Sequence, residues 1–176
     1  MHDLILKKHL QFIRQAISFE DFMDSANQVF AELYIRTEFD RVFAFKDQEV
    51  LDVLFDLVTW CRMEELFLPS FHQMILETWH CRHEQILDIM KHTKHPSSIS
   101  YIAEAIVLQD IDYLTKHDTD YPAFIRKCMW ALADIHTDES ISLLNEYRKS
   151  ENAIIFQFAD EQLRWLDGEK EMRLMG

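Results

Sequence analysis

An all-α fold built from short helical hairpins is what this 176-residue sequence predicts. Three observations lead there. Apolar residues recur at helical spacing along almost the whole chain. Only two glycines occur, Gly168 and Gly176, both near the C-terminus, whereas a β-rich chain of this length needs several glycine-containing turns. The three prolines, Pro69, Pro96 and Pro122, lie 27 and 26 residues apart, each just ahead of an apolar-periodic run. With 48% hydrophobic and 28% charged residues the composition is globular, and a single domain of this size can bury a core without staples.

The elements follow in order. Leu4, Ile5, Leu6, Leu10, Ile13 and Ile17 outline a helix over about 3–17, and Phe22, Ala26, Val29, Phe30 and Leu33 a second over 19–35. The polar and aromatic stretch Glu38–Phe45 reads as a separator. Val50, Leu51, Leu54, Phe55, Val58 and Cys61 mark a third helix over about 47–62. From Pro69 onward each proline fits the first position of a helix, where its fixed φ and missing N–H cost nothing. Six residues after each proline stand Ile75, Ile102 and Cys128; nine after, Thr78, Ala105 and Ala131; ten after, Trp79, Ile106 and Leu132. A polar turn and a second apolar run follow each time: Ile86-Leu87 with Ile89-Met90, Ile111 with Tyr113-Leu114, and Ile141 with Leu143-Leu144. A last helix over about 152–166 carries Phe156, Ala159, Leu163 and Leu166.

The unit Tyr121–Lys149 contains Ile125-Arg126, Ala131-Leu132, Ile135, Asp138 and Ile141 with Leu144. In these landmarks it resembles the short HEAT-like repeat of the bilin-lyase type, although Ala133 stands where that repeat has glycine. The resemblance is partial over 96–120 and weak over 69–94. It implies an α-solenoid, an α-α superhelix of antiparallel hairpins, with residues 1–62 as N-terminal capping helices, 63–166 as repeats and 167–176 as a tail. Capping is a physical requirement, because such repeats bury their faces only against neighbours.

Catalytic chemistry finds little footing. Cys61, Cys81 and Cys128 are dispersed on apolar segments and form no CxxC pair, which fits reduced thiols in a cytoplasmic protein. There is no Gly-x-Ser-x-Gly elbow and no glycine-rich phosphate loop. The N-terminal apolar run is too short for a signal peptide, and no segment approaches a membrane span. His72, His80, His83, His92 and His95 cluster, and Glu77 and His80 have the Glu-x-x-His spacing of di-iron bundles. Such a site needs a second copy and two more glutamates, which the sequence lacks. HEAT-like deoxyhypusine hydroxylase uses one His-Glu pair per repeat, and here only His83-Glu84 exists. No metal, cofactor or catalytic residue is assigned, and a metal-dependent enzyme at His72–His95 is the third reading.

The charge is more informative. With 31 acidic and 18 basic residues the net charge is −13, which repels nucleic acid and anionic membranes and attracts basic partners. Asp110, Asp112, Asp118, Asp120, Asp134, Asp138 and Glu139 fall in or beside the turns of the last two units, where an array would stack them into one negative strip. Tyr113, Tyr121 and Trp130 are aromatics that could sit among them as contact hot spots. Asp110 and Asp138 also have a local role, as helix-starting carboxylates. The expectation is an acidic binding protein. By size, charge and fold class it is similar to the bacterial immunity proteins that block basic toxins, often nucleases. A HEAT-like adaptor or chaperone scaffold is the second reading.

Overall fold

The computed structural model describes residues 28–108 and 111–174, with positions 7, 8, 11, 16 and 21; of 28–31, 112, 115 and 169–174 it describes the backbone alone. Apart from those five positions, the expected helix over 3–17 and the first half of the second lie outside the described residues. The described chain is all-helical, and no strand occurs among its residues. No helix of the described residues is long and apolar enough to cross a membrane. Two compact units divide the chain at Phe67/Leu68.

The first unit contains α1 (Gln28–Phe45) and α2 (Gln48–Trp60), which pack on each other. The stretch expected as a separator is therefore the second half of α1. Ile35, Phe39 and Val42 stand at i, i+4 and i+7, and all are buried, so the apolar stripe continues straight through the charged residues between them. They meet the buried face of α2, formed by Leu51, Leu54, Phe55 and Val58. Asp47 caps α2, accepting hydrogen bonds from the Glu49 and Val50 amides at 3.1 Å each.

α3 (Glu64–Met74) crosses the boundary between the units. Pro69 does not open a helix as expected; it lies in the middle of α3. Its ring leaves the Glu65 carbonyl without the usual donor, and the helix ends one turn later. Ile75 is buried, but Thr78 and Trp79 fall in the irregular stretch 75–82, so the first repeat has no full first helix. Pro96 sits in the turn before α5 (Ser98–Ile106), and Pro122 is the third residue of α6 (Asp120–Ile135), where no intrahelical bond is lost.

In the second unit, α6 lies at the centre. Phe124, Ile125, Cys128, Met129, Ala131, Leu132, Ala133 and Ile135 are buried on several faces of it. Around it pack α4 (His83–Thr93), α5, a 3₁₀ turn (Asp112–Thr115), α7 (Asp138–Tyr147) and α8 (Ala153–Leu174). The middle repeat departs from expectation here: its second helix, expected around Ile111 and Leu114, is that single 3₁₀ turn. With so little between them, α4 packs directly on α6. Glu84 and Asp88 reach Lys127, and Lys91 and Lys94 reach Asp134; the partners advance six to seven residues in the same direction on both helices, so the two run parallel. A second helix of a hairpin array would run the other way.

The last hairpin matches expectation. His136 and Thr137 turn the chain, and a reciprocal capping box between Thr137 and Ser140 starts α7. Asn152 caps α8, accepting from the Ile154 and Ile155 amides. Ala159, Leu163 and Leu166 are buried as the stripe predicts, whereas Phe156 is exposed. The segment expected as a tail continues α8 to Leu174. Glycine is scarce, so four basic residues take the left-handed conformation at helix ends: Lys46, Arg62, Lys94 and His136, with φ between 52° and 56°. The positive charge of Lys46, Arg62 and Lys94 suits the negative end of the helix dipole, which offsets part of the conformational cost.

Candidate partner-binding groove

Trp130 is the best-defined feature on the surface of the second unit. It projects from α6, half-buried, with the Lys91 ammonium 5.0 Å from its ring centre and the Arg126 guanidinium also at 5.0 Å. Both cations lie within the range in which an indole quadrupole attracts them. Lys91 comes from α4, and its amine also lies 3.6 Å from Asp134; Lys94 lies 3.4 Å from the same carboxylate. On the far side of Trp130 runs α8, which contributes Glu161, Gln162 and a half-exposed Trp165. These helices enclose an open groove of about 480 Å³. A second groove of about 400 Å³, lined by Asp88, His92 and Lys94, adjoins it and shares Lys91 and Asp134. The result is a surface depression with two tryptophans and charges of both signs.

The acidic residues expected to form one strip are distributed differently. Asp118, exposed, and Asp120, partly buried, stand at the start of α6, while Asp134, Asp138 and Glu139 stand at or beyond its end. Asp120 and Asp134 stand near opposite ends of this helix, about 21 Å apart at the usual rise. Asp138 and Glu139 are exposed in the first turn of α7, where carboxylates favour the dipole. Asp112 lies in the 3₁₀ turn with its side chain outside the described residues, and Asp110 lies outside them altogether. Only Trp130 and Asp134 of the expected set share the groove. The neighbours of Trp130 are cations, and Asp134 is already ion-paired, so the local field is mixed.

Tyr113 belongs to a different place. Its hydroxyl is buried without a hydrogen-bond partner, burial pushes its pKa up beyond the usual range, and its ring centre lies 5.6 Å from that of His83. His83 stacks on His80 at 4.3 Å, and His80 lies edge-on to Trp79. The three buried histidines of this region differ in chemistry. His80 accepts at Nδ1 from the Arg82 amide, so its proton resides on Nε2, which donates to the Met74 carbonyl at 2.8 Å. His72 bonds Ser98 through Nε2 at 2.9 Å and stacks on Tyr101; burial, then the nearby His95, pull its pKa down to about 4. Neither ring nitrogen of His83 has a partner of hydrogen-bonding geometry. Burial, then His80, lower its pKa to about 3, and the Glu77 carbonyl acts only weakly against them. Among the described residues no three His, Cys, Asp or Glu side chains converge as metal ligands. Burial raises the thiol pKa of Cys128, and to a lesser degree that of Cys61, the opposite of what an activated nucleophile requires.

Lys91, Arg126, Glu161 and Trp165 were not singled out from sequence. Trp165 carried a legible signal, since it falls off the Ala159–Leu163–Leu166 stripe and an off-stripe aromatic faces solvent. The partnership of Lys91 with Trp130 spans 39 positions and had none. No protein family, curated protein or solved structure matches the chain.

Proposed function

We propose that this chain is an acidic binding protein that captures a basic protein partner, in its most specific form an immunity protein that blocks a nuclease-type toxin. The observation that carries the reading is the groove between Trp130 and Trp165. Tryptophan is among the residues that dominate binding hot spots, and a depression lined by two of them offers large contact area at low entropic cost. The net charge of −13 supplies the long-range attraction that steers a basic partner. The hairpin α6–α7, followed by α8, is the part that supports a HEAT-like origin.

The test is binding to the product of the adjacent gene, measured by calorimetry at about 50 and 300 mM salt, with Trp130→Ala and Trp165→Ala as variants. A basic partner bound at nanomolar strength, weakened at least tenfold by salt and by either variant, supports the reading. A neighbour that is not basic, or one that binds both variants as well as the native chain, overturns it. The adaptor reading is favoured by one feature, the internal pairing of the groove's own charges. It demands micromolar binding that salt barely changes.

A further inference from the structure

Within the groove, two indoles stand in different electrostatic situations. Trp130 is already flanked by Lys91 and Arg126, each 5.0 Å from its ring centre. Trp165 lines the same groove half-exposed, and among the described residues no cation lies over its ring. One helical turn before it, Glu161 is exposed and lines the groove, and no ion pair with a described residue engages it. By contrast, the other groove carboxylate, Asp134, is held by Lys91 and Lys94, and the neighbouring Asp160 is held by Arg164 at 2.7 Å. An open indole face and an unpaired carboxylate therefore sit one turn apart on α8.

We propose that Trp165 and Glu161 form the subsite for an arginine side chain of the basic partner, with the guanidinium stacked on the Trp165 indole and paired edge-on with Glu161. The proposal rests on the partner-binding reading and names the chemistry that the groove selects. Arginine fits better than lysine because a planar guanidinium presents a weakly hydrated face to the ring while its edge still donates to a carboxylate. A lysine ammonium is a strongly hydrated point charge that does both only at longer range, as Lys91 does at 5.0 Å from the Trp130 ring centre and 3.6 Å from Asp134. The chain itself builds the same contact twice: Arg126 on Trp130, and Arg36 over Phe67 at 5.3 Å. The groove's 480 Å³ exceeds what one side chain fills, so a backbone segment can lie along it with the arginine directed at α8. The excess of carboxylates over the whole chain has the sign this occupant requires.

The experiment uses the full chain and a probe that needs no identified partner. Indole N–H signals of the four tryptophans are followed by nitrogen–proton NMR while N-acetyl-arginine amide is added to tens of millimolar. N-acetyl-citrulline amide, which is uncharged and of nearly the same shape, is titrated in parallel, and Trp165→Phe assigns the signal. A saturable shift of the Trp165 indole with the arginine probe is expected, weakened about two- to fivefold in Glu161→Gln, with little response to citrulline. Equal shifts with citrulline, shifts confined to Trp130, no saturable shift, or no change in Glu161→Gln would overturn the subsite. The two readings fail separately. A partner that binds Trp165→Ala at full strength but loses Trp130→Ala leaves the groove standing and removes the arginine subsite. Arginine binding at Trp165 beside a non-basic gene neighbour does the reverse.

Discussion

Replacing His83 by methionine should stabilise the protein, and more so in acid. His83 is fully buried at the first position of α4, and both ring nitrogens lack hydrogen-bond partners. A buried polar atom without a partner costs about 1–3 kcal/mol, so an apolar side chain of similar volume should gain about 1–2 kcal/mol at neutral pH. The acid effect follows from linkage. The imidazole titrates at 6.5 when free and at about 3 in the folded protein. Its folded value is depressed, so below pH 6.5 the unfolded chain binds the extra proton and stability falls with pH until the folded value is reached. At pH 5 the difference from 6.5 is 1.5 units, or about 2 kcal/mol at 1.36 kcal/mol per unit. His72, lowered to about 4, adds a loss of the same sign over its own window, pH 6.5 to 4.

Urea melts of the native chain and His83→Met at pH 7.5 and 5.0 measure both terms. The variant should be the more stable by about 1–2 kcal/mol at pH 7.5 and by about 3–4 kcal/mol at pH 5.0. His92→Gln, at an exposed position on the same helix, is the control and should track the native chain. A variant less stable than the native chain at pH 7.5 would show that His83 makes a contact the static structure lacks. Equal losses in both proteins between the two pH values would show that His83 does not carry the acid response.

Other substitutions probe the backbone and the groove. Gly168 is helical and a Cβ built there meets no atom within 4 Å, so Gly168→Ala should add about 0.5–1 kcal/mol by restricting the unfolded chain, read as a higher thermal midpoint. His136 holds φ 53° at the end of α6 on an exposed position, so His136→Gly should relieve about 1 kcal/mol of left-handed strain; an unchanged midpoint would mean that the strain at this position is negligible. Asp134→Asn frees Lys91 and Lys94, both well exposed, and should change stability by less than about 1 kcal/mol in chemical denaturation, an effect that salt reduces further.

How much of this was legible in the sequence differs between elements for physical reasons. α2 and α8 carry a clear stripe and lie within a few residues of where it puts them, except that α8 runs on past Leu166, and α7 forms around the run Ile141 with Leu143-Leu144. The stripe of α1 is legible to Ile35, but the polar and aromatic stretch Glu38–Phe45 reads as a separator; the burial of Ile35, Phe39 and Val42 carries the helix through it. Pro69 misled because a proline's position within a helix depends on what the neighbouring turns gain by packing, and Leu68, Phe71 and Met74 around it are all buried. The 3₁₀ turn at Asp112–Thr115 has the right apolar residues for a helix, Tyr113 and Leu114, but only one turn of them. For the groove, Trp130 and Asp134 could be chosen from sequence. Their actual neighbours could not, since the parallel placement of α4 against α6 is a consequence of that shortened repeat.

That parallel placement also separates two roles for charge that the sequence had merged. Along α4 and α6 the charges are consumed in pairs, Lys127 with Glu84 and Asp88, and Asp134 with Lys91 and Lys94. They fix one helix against the other and leave little net field in the groove. Apart from Glu161 beside Trp165, the carboxylates that remain free to act at a distance are exposed ones such as Asp118, Asp138 and Glu139, away from the tryptophans. Under the proposed function, these two sets control different constants. Reversing Asp138 and Glu139 to lysine should slow association several-fold and flatten its salt dependence, because steering acts before contact. Trp165→Ala should leave association nearly unchanged and speed dissociation, because the ring acts only once the partner is seated. Stopped-flow association and surface-based dissociation measured on the same pair of variants separate the two, and an exchange of those effects would refute the division.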